Sequence, residues 1–255
     1  MSLLDRSLLK DWCIIPDWPA PKNVHALQTT RNGGVSVAPY NSLNLGDHVG
    51  DDPLAVERNR MLLQPMLPSE PIWLKQVHGT VVAKAHDADC WPEADACVAS
   101  RAGAVCVVMT ADCLPVLLCD EQGSVVGAVH AGWRGLCSGV IEQTVRDMNV
   151  EPSALMAWLG PAIGAQAFEV GEEVRAAFIA EQPQAVAAFT PSPAQAGGSE
   201  KYLADIYQLA RLRLNTLRIT RIYGGGFCTY TDSERFFSYR RNGVTGRMGT
   251  FIWLE

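Results

Sequence analysis

Ala104-Val105-Cys106-Val107-Val108-Met109-Thr110-Ala111-Asp112-Cys113-Leu114-Pro115-Val116-Leu117-Leu118, followed after Asp120-Glu121-Gln122-Gly123 by Val125-Val126-Gly127-Ala128-Val129-His130, decides the fold. Ala104 to Met109 is an apolar run with no polar alternation, as in a strand buried on both faces. Leu114 to Leu118 is a second such run. The turn signal after it leads into a third, Val125 to Val129, so these two are expected to pair as a hairpin. Hairpin strands lie about 5 Å apart. Cys113, before the first strand, and His130, after the second, are therefore expected to be neighbours in space.

Upstream, Val24 to Thr30 reads as a strand ending at the turn Arg31-Asn32-Gly33-Gly34. Asp52-Pro53 is an N-cap followed by proline at the first helical position, which opens a helix to about Met66. Ile72 to Val77 reads as a strand delivering His78. Downstream, Gly135 to Met148 reads as a helix, Leu155 to Leu159 as a strand, and Gly171 to Ala180 and Leu203 to Leu217 as helices. Thr190 to Ser199 reads as a surface loop. Three strands close the chain: Arg218 to Tyr223, Phe236 to Arg240 and, beyond the turn at Asn242-Gly243, Met248 to Leu254. Hairpin and crossover connections are interleaved, so the fold class is α+β with mixed β-sheets and flanking helices, rather than a doubly wound parallel sheet.

With 255 residues, 48% of them hydrophobic, the chain can bury a full core, and the absence of a linker favours one domain over 1–255. The net charge is −6 and lysines and arginines are scattered, which speaks against a nucleic-acid partner or a membrane-binding basic patch. Met1 to Asp17 lacks the layout of a secretion signal, and no apolar run is long enough to span a bilayer, so the expected compartment is the cytoplasm. The 8 cysteines are dispersed, several within apolar runs, and no Cys-x-x-Cys occurs. Reduced, buried thiols are expected.

Three residues stand in segments built like active-site loops: His78 in Lys75-Gln76-Val77-His78-Gly79, Cys113 in Thr110-Ala111-Asp112-Cys113-Leu114-Pro115, and His130 in Val129-His130-Ala131-Gly132-Trp133-Arg134-Gly135. Taken singly, each histidine also reads as a hydrogen-bonding loop residue, and the cysteine as a small buried hydrophobe. Together, two imidazoles and a thiolate suit zinc, with a fourth position left for water or substrate. The same Cys113 and His130 could instead be nucleophile and base. Asp112 would orient a ligand histidine, move a proton, or simply cap a turn. Trp133 and Arg134 could stack on a purine or phenol and hold an anion. Arg31, Arg240, Arg241 and Arg247 all sit in turns and could converge on phosphate or carboxylate. Gly224-Gly225-Gly226-Phe227-Cys228 lacks phosphate-loop spacing. His25 and His48 receive no role; His86, near Asp87 and Asp89, is a minor alternative metal ligand.

The segments Thr30 to Ser36, Lys75 to Gly79, Thr110 to Pro115, Val129 to Gly135, Gly160 to Ile163 with Phe168 to Gly171, and Phe237 to Arg241 with Thr245 to Arg247 together resemble, from about Val24 to Leu254, the laccase-domain family. It is also called the multicopper polyphenol oxidase family and, more recently, the YfiH purine nucleoside phosphorylase family. The resemblance implies an α/β/β/α sandwich similar to the catalytic domain of cytotoxic necrotizing factor, a cysteine deamidase. It implies zinc on His78, Cys113 and His130, with Asp112 beside them in catalysis. The expected activities are phosphorolysis of adenosine, inosine, guanosine or methylthioadenosine and deamination of adenosine, with nucleoside and phosphate as small-molecule partners. Arg31, Asn32, Trp133, Arg134, Arg240 and Arg241 are the residues expected to bind substrate. Bacterial relatives are also assigned a peptidoglycan-editing role, removal of L-serine from a UDP-linked muropeptide precursor, for which Cys113 and His130 would act as a hydrolase pair. Copper is the alternative metal, but a four-copper oxidase needs many more histidines than the 5 present.

Overall fold

Alternation along the central strands sorts the core into layers. In Val105–Thr110 the side chains of Val105, Val107 and Met109 join one apolar cluster, with Leu27, Phe251, Trp253 and Trp73, whereas Cys106 and Val108 join another, with Leu117, Cys119, Val126 and Ala128. In Leu114–Asp120, Leu114, Val116 and Leu118 face a third cluster, built with helices. Two sheets therefore pack face to face, each with helical or loop cover outside.

The computed structural model describes residues 12–85, 91–193 and 200–255. The strands are β1 (Cys13–Ile14), β2 (Val24–Thr29), β3 (Val82–Lys84), β4 (Ala96–Ala99), β5 (Val105–Thr110), β6 (Leu114–Asp120), β7 (Val126–Ala131), β8 (Leu155–Leu159), β9 (Glu169–Gly171), β10 (Phe189–Pro191), β11 (Lys201–Ala204), β12 (Arg221–Gly224) and β13 (Met248–Leu254). The helices are α1 (Pro53–Leu63), α2 (Trp133–Ser138), α3 (Val140–Met148), α4 (Glu172–Glu181), α5 (Ile206–Thr216) and the single turn α6 (Tyr239–Asn242). One sheet has the order β1-β2-β13-β5, the other β12-β8-β6-β7-β4-β3, and β10-β11-β9 form a small third sheet. Helices α2 to α5 cover the six-stranded sheet, while α1 and the loop through Leu43 and Leu45 cover the four-stranded one. The fold is α+β with mixed sheets in an α/β/β/α arrangement. No helix among the described residues is long and apolar enough to cross a membrane.

The hairpin forms with Leu114 opposite Ala131 and Pro115 opposite His130. His130 lies within β7 rather than after it. β5 and β6 belong to different sheets, so Ala111-Asp112-Cys113 carries the chain across the sandwich at the mouth of the hairpin.

Other expectations need correction. Ile72 to Val77 forms only isolated bridges, Ile72 with Cys106 and Lys75 with Glu93. There the Gln76 side chain substitutes for backbone pairing, donating to Met109 O and accepting from Met109 N, both at 2.8 Å. Phe236 to Arg240 is not a strand: Phe236 and Phe237 are buried against Ala111 and Met248, and the Ser238 hydroxyl then accepts from Arg241 N to cap α6. The helix expected from Gly135 to Met148 breaks at Gly139, whose φ of 94° is accessible to glycine at little cost. The helix expected from Leu203 starts later because Asp205 caps it and β11 takes the preceding residues. His86, Asp87, Asp89 and residues 194–199 of the expected surface loop lie outside the described residues.

Asn59, buried on α1, organises the loop that follows β2. Its amide donates to Ser36 Oγ, Ser42 O and Asn44 O and accepts from Val35 N at 2.8 Å. Asn59→Ala strands several of these groups and is expected to cost about 2–4 kcal/mol, read from urea unfolding. An unchanged midpoint would show that the loop stands without Asn59.

Candidate active site

His78, Cys113 and His130 meet at the open end of the hairpin, their ligand atoms all within 4.8 Å of one another. Cys113 Sγ lies 3.7 Å from His78 Nε2, and the two imidazole rings approach edge to face at 4.8 Å. His78 is exposed, Cys113 half-buried and His130 buried.

One carboxylate holds the arrangement. Asp95, immediately before β4 and fully buried, accepts from the amides of Val77 (3.2 Å), His78 (2.9 Å) and Gly79 (2.6 Å). It also accepts from His130 Nδ1 at 2.8 Å. That bond places the proton of neutral His130 on Nδ1 and leaves Nε2 for the cluster. The same carboxylate bends the backbone so that His78 sits at a φ of 62°, uncommon for a residue with a side chain. Asp112, also beside the cluster, has a φ of 90°. Its carboxylate accepts from Thr229 Oγ1 (2.6 Å), Ser238 Oγ (3.0 Å) and Arg240 N (2.7 Å), clamping the Cys113 turn to the loops on the other side of the cavity. The carboxylate that orients a cluster histidine is thus Asp95, while Asp112 orients the turn that carries the thiol.

Gly132 explains the small residues after His130. A Cβ there would come within 2.8 Å of His78 Cδ2 and 3.1 Å of Cys113 Sγ. Gly135 similarly lets α2 approach the Gly79 carbonyl.

Burial pushes the Asp95 carboxyl up, but the hydrogen bonds from His130 and the loop amides outweigh it and hold it below its usual range. Burial also pushes the Cys113 thiol up, but His130 and His78 outweigh this and bring it down to about 6. For His130, burial lowers the pKa, and the Cys113 thiolate and Asp95 outweigh it to about 9. Without a metal, Cys113 and His130 therefore form a thiolate–imidazolium pair near neutral pH.

The donor set also fits a metal ion. Zn–N near 2.0–2.1 Å and Zn–S near 2.3 Å give tetrahedral edges of about 3.5 Å, close to the Sγ–Nε2 separation. Two imidazoles and a thiolate are ligands for zinc and for copper alike.

A cavity of about 500 Å³ opens above the cluster, with Trp133, Arg134, Asp112 and Arg240 in its walls. Arg134 lies over the Trp133 ring at 4.5 Å. His48, Gln76, Phe168, Tyr239 and Arg247 also line the cavity. Arg31, Asn32 and Arg241 do not line it. Arg31 donates to Asn41 O and Ser233 O, Asn32 to Glu234 O, and Arg241 to Thr229 O, Tyr230 O and Phe236 O. These side chains fasten loops, and the structure does not bring them into the cavity with the cluster. The sequence reading missed Asp95, whose signal was an acid between two alanines immediately before an apolar strand. His48 and Gln76 carried no comparable signal.

A family profile described as multi-copper polyphenol oxidoreductase laccase matches residues 25–255. The chain belongs to this family. Within it, a Shigella flexneri protein named purine nucleoside phosphorylase YfiH is 56% identical over 244 residues, covering 94% of this chain and 98% of the relative. A Pseudomonas aeruginosa purine nucleoside phosphorylase is 53% identical over 242 residues, covering 95% and 98%. Among solved structures, a Neisseria meningitidis protein superposes with a TM-score of 0.90 at 52% identity, covering 95% of this chain and 99% of the other. YlmD from Geobacillus stearothermophilus superposes with a TM-score of 0.79 at 30% identity, covering 93% and 94%. The laccase-domain fold is thus shared at both levels of similarity.

Asp95→Asn keeps the shape but removes the charge that favours protonated His130. In metal-free protein, alkylation of Cys113 is expected to rise with a midpoint near pH 6, and in Asp95→Asn the midpoint moves up, because a less basic His130 stabilises the thiolate less. Zinc affinity is expected to fall by about 10–100-fold in the same variant. A parental midpoint at an ordinary thiol value would contradict the ion pair.

Proposed function

We propose that this chain is a zinc-dependent purine nucleoside phosphorylase acting on adenosine, inosine, guanosine or methylthioadenosine, with deamination of adenosine as a second activity. The observation that carries the reading is the His78–Cys113–His130 cluster beneath a cavity walled by aromatic rings and arginines. The phosphorylase names of relatives more than 50% identical over almost the whole chain support it. The cavity volume falls within the range of small-molecule sites.

In phosphorolysis an oxygen of inorganic phosphate bonds to C1′ of the ribose as the C1′–N9 bond breaks. The purine leaves with the bonding electrons and gains a proton. Trp133 and Phe168 offer apolar faces for the flat base. The cavity arginines neutralise the incoming anion and hold it for attack. Asp95 fixes His78 and His130, and Asp112 fixes the Cys113 turn, so the floor is preorganised before substrate enters. A divalent ion on His78, Cys113 and His130 would supply Lewis-acid stabilisation and a water of lowered pKa.

A second reading rests on the thiolate–imidazolium pair. Cys113, His130 and Asp95 stand in the order of nucleophile, base and orienting acid, which suits hydrolysis of an amide such as that of L-serine in a UDP-linked muropeptide precursor. A thiolate bound to metal is unavailable as a nucleophile, so the two readings compete. Multicopper oxidation is disfavoured, because beyond the cluster the chain has only His25, His48 and His86, and His25 pairs with Glu255.

Metal-stripped and zinc-restored protein, assayed on inosine and adenosine with and without phosphate, distinguishes these outcomes. Free base and ribose 1-phosphate are expected only with both zinc and phosphate, and are lost in His78→Ala. Release of L-serine from the precursor through a covalent Cys113 adduct, with no nucleoside turnover, would overturn the proposal.

A further inference from the structure

We infer that Arg247, with His48 beside it, is the oxyanion subsite of the cavity, the place where inorganic phosphate sits against the cluster. The inference rests on the phosphorolytic reading and assigns that reading's second substrate a location.

The wall that carries Arg247 is built for the purpose. Arg247 N donates to Asn44 Oδ1 at 2.8 Å, and Arg247 O accepts from Leu45 N at 3.1 Å. Asn44 is itself held by Asn59 and by Asp51. The loop then wraps the arginine stem so closely that a Cβ on Gly46 would lie 2.8 Å from Arg247 Cγ. Two residues later His48 joins the same wall.

The guanidinium is fixed but not used up. Nη1 donates to Thr245 O at 2.9 Å and Gly246 O at 3.1 Å, while Nε and Nη2 have no hydrogen-bond partner among the described residues. A planar fork with free donors is suited to tetrahedral oxyanions. Arg247 lines the same cavity as Cys113 and Asp112, and burial lowers its pKa more than those groups and the tyrosines Tyr239 and Tyr40 raise it.

The rival arginines are placed differently. Arg240 is exposed and donates to Glu169 O at 2.9 Å. Arg134 is exposed and lies over Trp133. Arg247 is half-buried, so its field is less screened by water. An anion seated beside the Asp112 carboxylate is stabilised by a cation on the same wall, and Arg247 is placed there. His48 lines the same wall on its exposed side, with Nδ1 3.4 Å from Asp47 Oδ1 and Nε2 left for the cavity.

Inorganic phosphate is the probe. Its binding to the zinc-loaded full chain is measured by calorimetry, and phosphate and inosine KM by steady-state turnover, for the parent, Arg247→Gln, Arg240→Gln and Gly46→Ala. Arg247→Gln is expected to weaken phosphate at least about tenfold, the loss of charge-assisted hydrogen bonds, with inosine KM within about twofold. Zinc content and unfolding midpoint report whether the variant is folded. Gly46→Ala, which displaces the stem without touching the charge, is expected to weaken phosphate by a smaller factor, and carries the test if Arg247→Gln does not fold. Parental phosphate affinity in a folded Arg247→Gln, or in Gly46→Ala if it alone folds, overturns the assignment, as does loss in Arg240→Gln alone. If the parent binds phosphate through Arg247 but turns over no nucleoside, the subsite stands and the phosphorolytic reading falls. If the parent phosphorolyses inosine and Arg247→Gln keeps its phosphate KM, the reverse holds.

Discussion

A carboxylate buried without partners would be driven to neutrality, because desolvation of its charge is too costly. Asp95 remains ionised because four donors converge on it, the Nδ1 of His130 and three consecutive amides of the His78 loop. Those bonds also determine where the two histidines stand. Removing the side chain altogether would leave the amides unpaired and release both rings together, so the cluster assembles as a unit. Such fully satisfied buried networks specify one geometry, and a half-satisfied one would be worse than none.

The sandwich supplies what Asp95 cannot. β4, which follows Asp95, pairs with β7, and β7 with β6, so the Asp95 carboxylate, His130 and the Cys113 turn are ordered by sheet register. The crossing from β5 to β6 strains Asp112, and its carboxylate recovers that cost through Thr229, Ser238 and Arg240 N. Histidines come from one side, the thiol from the crossing between sheets, and the arginines from α2, α6 and the loop that follows α6. The cavity lies where these contributions meet.

Much of this was legible in the sequence. The apolar runs gave β5, β6 and β7, the turn between them gave the hairpin, and the hairpin alone brought Cys113 beside His130. The small residues after His130 announced a close approach, which proved to be that of His78 and Cys113 to Gly132. Asp95 was harder, because its partners lie 16 to 18 and 35 residues away and no local pattern links them. Phe236 to Arg240 carried apolar residues without periodicity, and the serine cap that turned it into a helix was visible only with Phe236 and Phe237 buried. Arginines in turns looked alike on paper. Whether one faced the cavity or tied down a loop depended on carbonyls up to 202 residues distant, as for Arg31.

The most direct test of the account is a metal titration. Apo protein is supplied with zinc in increments while bound metal, free Cys113 thiol and phosphate-dependent inosine cleavage are followed on the same samples. The account requires all three to change together, with cleavage reaching its plateau at one zinc per chain as Cys113 becomes unavailable to alkylation. Full cleavage in protein stripped of metal, with Cys113 still open to alkylation, would contradict it.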